Sequence, residues 1–250
     1  MKKIVQLVLI VSVLSACTIS SHEKITFQTV SSENLETTIP ASGQSTLSHL
    51  ALNEKDLEVR KAAVEKLTLQ SSLSHVALND TDPEIRKLAV NKLTLQSTLS
   101  HIAINDNNGE VRVAALKKVT LESTLAHVTL NDPDAEIRKF AVSRVSLQST
   151  LSHVAINDKD FGVRIAALKK VTLESTLAHV ALNDPEAEIR KLAASMVSLQ
   201  STLSHVALND KNSEVKRSAI QKLTIESTLE HIALNDPDPE IRKLAVKRME

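Results

Sequence analysis

The sequence predicts an all-α fold, an α-solenoid of eight tandem two-helix repeats, and three observations lead to this prediction. First, a unit of about 26 residues recurs from Ser45 to Glu250. Second, both halves of each unit place apolar residues at helical spacing. Third, a short acidic turn separates the two halves. Because helices of about three turns are marginal alone in water, stacked units must share one apolar core.

The second half of each unit predicts the more clearly marked helix. In the second repeat its apolar face is formed by Ile85, Leu88, Ala89 and Leu93. Asp82 is a good N-cap for this helix, and Pro83 suits its first position, where no backbone donor is needed. This half is also rich in Ala and Lys, which favour a helix.

The first half of the unit also predicts a helix, with one competing interpretation. In the third repeat its apolar side is formed by Leu95, Leu99, Ile102 and Ala103. The same stretch partly fits a leucine-rich repeat, a class whose period includes about 26 residues. However, Asn105 comes one residue too early for that pattern. The helix-forming second half favours the all-helical interpretation over this alternative.

Several residues of the unit resemble a HEAT repeat, most of all the short HEAT-like repeats of bilin lyases. In the second repeat these residues are Asp80, Ile85, Arg86, Ala89, Val90 and Leu93. The resemblance covers residues 45–250, although the unit is shorter than the usual HEAT length of about 40 residues. It implies a right-handed solenoid whose second helices line a concave surface.

The same resemblance implies a structural ladder, in which a turn Asp and the Arg six residues later connect neighbouring repeats. The residues that match are Asp80 and Arg86, Asp106 and Arg112, Asp132 and Arg138, Asp158 and Arg164, Asp184 and Arg190, and Asp236 and Arg242. Two repeats depart from this pattern, since Glu54 precedes Arg60 and Asp210 precedes Lys216. Because lysine lacks the planar fork of arginine, we expect a weaker ladder at Lys216.

The first residues resemble the signal peptide of a bacterial lipoprotein. Residues 1–16 combine two lysines with an apolar stretch that is too short to span a bilayer, and Leu14-Ser15-Ala16-Cys17 resembles a lipobox. The resemblance implies cleavage before Cys17 and attachment of a lipid there, with palmitate among its acyl chains. Thr18 is typical of lipoproteins sorted to the outer membrane, where the protein would face the periplasm. The alternative is an ordinary signal peptide that leaves a free thiol.

Residues 17–44 are rich in Ser, Thr and Glu and predict a flexible tether between the lipid and the solenoid. Within this segment, residues 24–30 have some strand character and could instead dock on the first repeat. The whole chain has no Trp or Tyr, and its formal net charge is zero. We therefore expect no binding of nucleic acid, and a protein interface should depend on charge and area rather than on aromatic anchors.

One histidine recurs at the same place in every repeat: His49, His75, His101, His127, His153, His179, His205 and His231. Equivalent helices of neighbouring repeats lie about 8–10 Å apart, while metal–nitrogen bonds are about 2 Å long. No metal site is therefore expected. The favoured interpretation is a structural ladder in which each ring bonds a nearby backbone or Asn group. A pH sensor is the alternative, since histidine changes its charge close to physiological pH.

The asparagine that ends each first half is followed by acidic residues, as in Asn79-Asp80. This arrangement resembles a calcium loop, but the Gly and the Glu that an EF-hand needs at its sixth and twelfth positions are missing. Capping of the two helices is the expected role. The sequence also has no phosphate-binding loop and no nucleophile beside a base, so we predict neither a cofactor nor an enzymatic activity.

Basic residues on the outward side of the second helices are the candidate partner-binding residues, and we call the surface that they mark the second-helix face. They are Lys61, Lys87, Lys117, Lys139, Lys169, Lys191, Arg217 and Lys243. This face and the turns that precede the second helices vary most between repeats, whereas the first helix is nearly invariant, so we expect recognition on this face and these turns. The pattern predicts a protein-binding scaffold of the cell envelope with an acidic partner. The alternatives are a solvated face balanced by nearby carboxylates and, by resemblance, an enzyme or enzyme accessory of the bilin lyase type.

Overall fold

The computed structural model describes residues 43–250, and this range contains sixteen α-helices and no strand. The predicted signal peptide, Cys17 and almost all of the predicted tether lie outside the described residues. The helices are α1 (Gln44–Asn53), α2 (Leu57–Lys66), α3 (Gln70–Asn79), α4 (Pro83–Lys92), α5 (Gln96–Asn105), α6 (Gly109–Lys118), α7 (Glu122–Asn131), α8 (Ala135–Arg144), α9 (Gln148–Asn157), α10 (Phe161–Leu168), α11 (Glu174–Asn183), α12 (Ala187–Met196), α13 (Gln200–Asn209), α14 (Ser213–Ile220), α15 (Glu226–Asn235) and α16 (Pro239–Met249).

The chain divides into two units, one that ends at Ile102 and one that spans Ala103–Glu250. Within each unit, consecutive helices pack in pairs: α1 with α2 and α3 with α4 in the first, and α7 with α8 through α15 with α16 in the second. First helices lie beside first helices, and second helices lie beside second helices. The predicted fold class, an α-solenoid of tandem two-helix repeats, is thereby confirmed, and the leucine-rich alternative is wrong.

The two helices of a repeat begin in different ways. Asp82 caps α4 as predicted, because its Oδ1 accepts from the backbone N–H of Glu84 at 2.8 Å and of Ile85 at 3.2 Å. The first helices α1, α3, α7, α9, α11, α13 and α15 have no side-chain cap, and a leucine precedes several of them, as Leu69 precedes α3. Leu95 therefore corrects our helix pattern: it precedes α5 and is 43% exposed, so it does not belong to the buried side of that helix.

The core consists of aliphatic residues that recur in each repeat. In the second repeat they are Leu73, Val76, Ala77, Ile85, Ala89, Val90 and Leu93, none of them more than 1% exposed. Glutamine or glutamate at the start of most first helices fixes the linker to the next repeat. Gln70, for example, accepts from the Thr94 backbone N–H at 2.8 Å and donates to the Lys92 carbonyl at 3.2 Å. The linkers are thus ordered by specific hydrogen bonds across each repeat.

The C-terminal ends of several second helices are bonded across repeats by a cation in the last turn of the next second helix or just after it. We call the residues at this place the last-turn column: Lys66, Lys92, Lys118, Arg144, Lys170, Met196, Lys222 and Arg248. Lys170 Nζ donates to the backbone carbonyls of Val142 at 2.8 Å and Ser143 at 3.0 Å. Lys92, Arg144 and Lys222 bond the preceding second helix in the same way. These bonds satisfy carbonyls that have no partner within their own helix.

Two second helices end early, and neither is bonded by such a cation. α10 ends at Leu168 and α14 at Ile220, and both finish in a tighter turn. The tighter bonds run from Lys170 N–H to the Ala167 carbonyl (2.9 Å) and from Lys222 N–H to the Ala219 carbonyl (3.0 Å). The residue of the last-turn column that could bond the end of α10 is Met196, which has no hydrogen-bond donor in its side chain. The equivalent residue for α14 is Arg248, which does not make this bond within residues 43–250. Bonds to the carbonyl three residues earlier are the usual substitute for a missing partner.

Candidate partner-binding site

The arginine ladder joins each repeat to the next one within both units. Arg138 Nε and Nη2 donate to the two carboxylate oxygens of Asp158 at 2.8 and 2.9 Å. Its Nη1 donates to the backbone carbonyl of Asp132, which lies in the same repeat, at 2.9 Å. The ion pair therefore connects residues 20 apart, and the Asp six residues earlier takes part through its carbonyl. The other two-bond ion pairs are Arg60 with Asp80, Arg112 with Asp132, Arg164 with Asp184 and Arg190 with Asp210.

The two repeats that depart from the ladder pattern still contribute to it. Lys216 Nζ makes one bond to Asp236 Oδ2 at 2.7 Å, in place of the two bonds that an arginine makes. Glu54 accepts from Arg60 Nη1 through its backbone carbonyl at 3.1 Å. Its carboxylate accepts instead from the next backbone N–H, that of Lys55. Arg86 is buried and donates to the Asp80 carbonyl at 2.9 Å.

The ion pairs of the ladder lower the pKa of two of its aspartates, Asp158 and Asp210. Burial opposes ionisation of Asp158, but the guanidinium of Arg138 and the backbone N–H of Asp160 outweigh it and hold the pKa of Asp158 below its ordinary value. Asp210 has a lowered pKa for the same reasons, with Arg190 as its partner. These pairs hold the repeats together, and their donors and acceptors are engaged with each other. The ladder is therefore a structural element rather than a binding site.

We expect acid to weaken the unit Ala103–Glu250 through these two carboxylates. A group whose pKa is lowered by folding stabilises the folded state above its unfolded pKa, which is about 3.9 for Asp. This stabilisation is lost as the pH falls through the lower, folded pKa. The free energy of unfolding should therefore be constant between about pH 7 and 5 and should decrease below about pH 4. Urea denaturation at several pH values measures it, and a constant value down to about pH 2 would contradict the prediction.

The recurring histidines lie on the surface, and all eight are exposed. In most repeats the asparagine at the end of the first helix donates to the backbone carbonyl of the histidine, as Asn79 does to His75 at 2.9 Å. Asn53 also approaches the Nδ1 ring nitrogen of His49, at 3.3 Å. Among residues 43–250, no group of three His, Cys, Asp or Glu side chains is placed to hold a metal ion. A pH response of the histidines stays a prediction.

The residues that mark the second-helix face are mostly exposed, and only Lys87 and Arg217 are half-buried. Several of them lie beside carboxylates. The ion pairs are Lys87 with Glu84 (2.9 Å), Lys139 with Glu136 (3.7 Å), Lys191 with Glu214 (3.1 Å) and Arg217 with Glu214 (3.4 Å). The face is thus a surface of mixed charge, and the pairs at Lys191 and Arg217 share one acid.

Three of the predicted residues come together in a cleft on this face. The cleft has a volume of about 610 Å³ and lies on α10, α12 and α14. Its lining consists of Ile165, Lys169, Glu188, Lys191, Leu192, Ser195, Glu214, Arg217, Ser218 and Gln221. α12 packs more closely against α14 than against α10. A hydrogen bond from Ser218 Oγ to the Lys191 carbonyl at 3.1 Å contributes to the closer packing.

Two functional features of this face were missing from the sequence-based prediction. The last-turn column was not identified as a set of contacts across repeats, although its recurrence at a fixed place in the repeat was a visible signal. Glu214 was not predicted either, because the residues predicted to bind on this face are all basic. Met196 interrupts the column in α12, and Glu214 pairs with two cations in the cleft.

Comparisons with known proteins add little to this description. No family model matches the chain, and no curated protein matches it significantly. Among solved structures, the chain is similar to the X-ray structure of the Escherichia coli protein YibA, a structural-genomics target, with 17% identity over 90% of this chain and 99% of that chain. The TM-score of 0.40 is too low for this similarity to support an argument. Of the helices in residues 43–250, none has the length and hydropathy needed to cross a bilayer.

Proposed function

We propose that the protein is a protein-binding scaffold of the bacterial cell envelope, anchored through a lipid on Cys17, and that it binds its partner on the second-helix face. One observation carries this proposal. The residues that bond one repeat to the next are nearly the same in every repeat, whereas the exposed residues of the second helices differ. A surface that varies over an unchanging scaffold is what recognition of one particular partner requires.

The chemistry of this face supports a protein partner with acidic residues. The face offers exposed lysines on a framework whose repeats are fixed by buried ion pairs and ordered linkers. A framework that is already ordered loses little conformational entropy on binding. The absence of Trp and Tyr from the chain leaves charge and area as the main sources of affinity.

Cross-linking in cells followed by purification of the membrane-bound protein tests the proposal. The test variant carries Lys87→Glu, Lys139→Glu and Lys191→Glu. We expect it to lose a partner that the unchanged protein retains, because charge reversal repels acidic side chains. The matched control carries the same change of charge in exposed turn residues, as Lys55→Glu, Lys159→Glu and Lys211→Glu.

Three outcomes of the cross-linking experiment distinguish the second-helix face from other locations and from the absence of a partner. Loss of a defined partner in the test variant, with retention in the turn variant, supports the second-helix face. Retention in both variants, or equal loss in both, contradicts that location. A search that finds no partner for the unchanged protein overturns the scaffold function itself.

A further inference from the structure

The regularity of the repeats is interrupted at the cleft. Met196 is the one member of the last-turn column that is neither Lys nor Arg. At the equivalent place in the neighbouring repeats, Lys170 bonds α8 and Lys222 bonds α12. Since a methionine cannot donate to the end of α10, no such bond holds the end of α12 against α10. The cleft is lined by residues of α10 and α14, the two second helices that end early and without this bond, and of α12 between them.

A near copy within the same chain shows which residues changed at this place. Residues 97–148 and 149–200 match at 41 of 52 positions. Among their eleven differences, Leu192, Ala194 and Met196 of α12 replace Phe140, Val142 and Arg144 of α8. Each replacement is smaller or removes a donor, and Leu192 lines the cleft. Because leucine is smaller than phenylalanine, Leu192 leaves more room in the cleft than a phenylalanine would at this place.

The cleft combines apolar side chains with cations. Ile165 and Leu192 supply its apolar lining, and Lys169, Lys191 and Arg217 supply positive charge. Lys169 makes no ion pair among the described residues. Glu188 and Glu214 also line the cleft, so that cations exceed acids by one.

Glu214 occupies the place that a carboxylate of a ligand would take. Its Oε2 lies 3.1 Å from Lys191 Nζ, and its Oε1 lies 3.4 Å from Arg217 Nε. The side chain of Glu214 is 61% exposed, and those of Lys191 and Arg217 are 50% and 33% exposed. Ion pairs with this much exposure are weak and are readily exchanged. An incoming carboxylate can therefore replace that of Glu214 at both cations.

We propose that the cleft binds an acidic amphipathic helix of the partner protein, an inference that rests on the proposed function. Apolar side chains of that helix contact Ile165 and Leu192, and its carboxylates pair with Lys169, Lys191 and Arg217. A groove formed by helices suits such a ligand, whose anchors recur on one side at every three to four residues. The volume of about 610 Å³ accommodates several anchoring side chains.

Fluorescence anisotropy of the full chain with a labelled peptide tests this inference. The probe is a helical peptide with a stripe of Leu flanked by Glu, and its control has Gln in place of every Glu. Lys191→Gln should weaken binding of the Glu peptide by roughly tenfold. Glu214→Gln should strengthen it by about fivefold, because the competing internal carboxylate is gone. Lys211→Gln, in an exposed turn, is the matched control.

Opposite effects of Lys191→Gln and Glu214→Gln, seen with the Glu peptide and absent with the Gln peptide, support the inference. The inference is overturned if Glu214→Gln has no effect, or if Lys211→Gln weakens binding as much as Lys191→Gln. Because Glu214 is exposed and the change is conservative, circular dichroism should show an unchanged fold. A cellular partner that depends on the second-helix face but ignores Glu214→Gln would leave the proposed function standing without the cleft.

Discussion

Replacement of Arg138 by methionine should lower the free energy of unfolding of the unit Ala103–Glu250 by about 3–5 kcal/mol. The side chains of Arg138 and Asp158 are only 4% and 6% exposed, and two hydrogen bonds join them. Without the guanidinium, the Asp158 carboxylate stays buried with no cation beside it. An unpaired buried charge costs more than the lost bonds themselves, and the Asp132 carbonyl loses a donor as well.

Two comparison variants show whether the unpaired charge causes the loss. Within residues 43–250, Arg242 donates only to the backbone carbonyls of Asp236 and Pro237, so the effect of Arg242→Met should be much smaller. The double variant with Arg138→Met and Asp158→Asn removes both charges and should recover part of the stability. Repeat arrays can unfold in segments, so urea titration should be combined with hydrogen exchange of the α8 and α10 amides. An Arg138→Met loss no larger than that of Arg242→Met would contradict a stabilising role of the ladder.

The sequence was sufficient to predict the fold because each repeat carries the same signals for two helices. Apolar spacing, the Asp82 cap and the eightfold recurrence all point to the same pair of helices. The sequence was less informative about the ladder, since Arg138 has an Asp six residues earlier and another 20 residues later. Only the packing of one repeat on the next decides which carboxylate takes the guanidinium. The repeated sequence therefore predicts the helices of each repeat, but it does not predict which residues of neighbouring repeats contact each other.

The candidate site was harder to predict because it depends on a departure from the repeat. A regular pattern implies equal spacing of all second helices, and Met196 looks like a minor exception in it. Its effect becomes visible only when Lys170 is seen to bond the carbonyls of Val142 and Ser143. The exposed position of Leu95 was missed for a related reason, since an apolar residue next to a helix resembles its first buried turn.

Replacement of Lys170 by methionine should destabilise the same unit by about 1–3 kcal/mol, the second-largest effect that we expect. Lys170 Nζ donates to three backbone carbonyls at the end of α8, including that of Val145 at 2.6 Å. The variant leaves these carbonyls without a side-chain donor, as at the end of α10, so α8 should end about two residues earlier, in a tighter turn. Hydrogen exchange of the amides at the end of α8 measures this change locally. The exposed Lys159→Met is the control, and equal effects of the two variants would contradict the role of the last-turn column.

The reverse substitution, Met196→Lys, connects this stability to function. The new ammonium should donate to the last carbonyls of α10, lengthen that helix and stabilise the unit by about 0.5–1 kcal/mol. It should also draw α12 towards α10, narrow the cleft and weaken binding of the Glu peptide by more than about tenfold. If the gap between α10 and α12 serves to bind a ligand, filling it should make the protein more stable and its ligand binding weaker. If Met196→Lys stabilises the protein and leaves peptide binding unchanged, Met196 does not open the cleft.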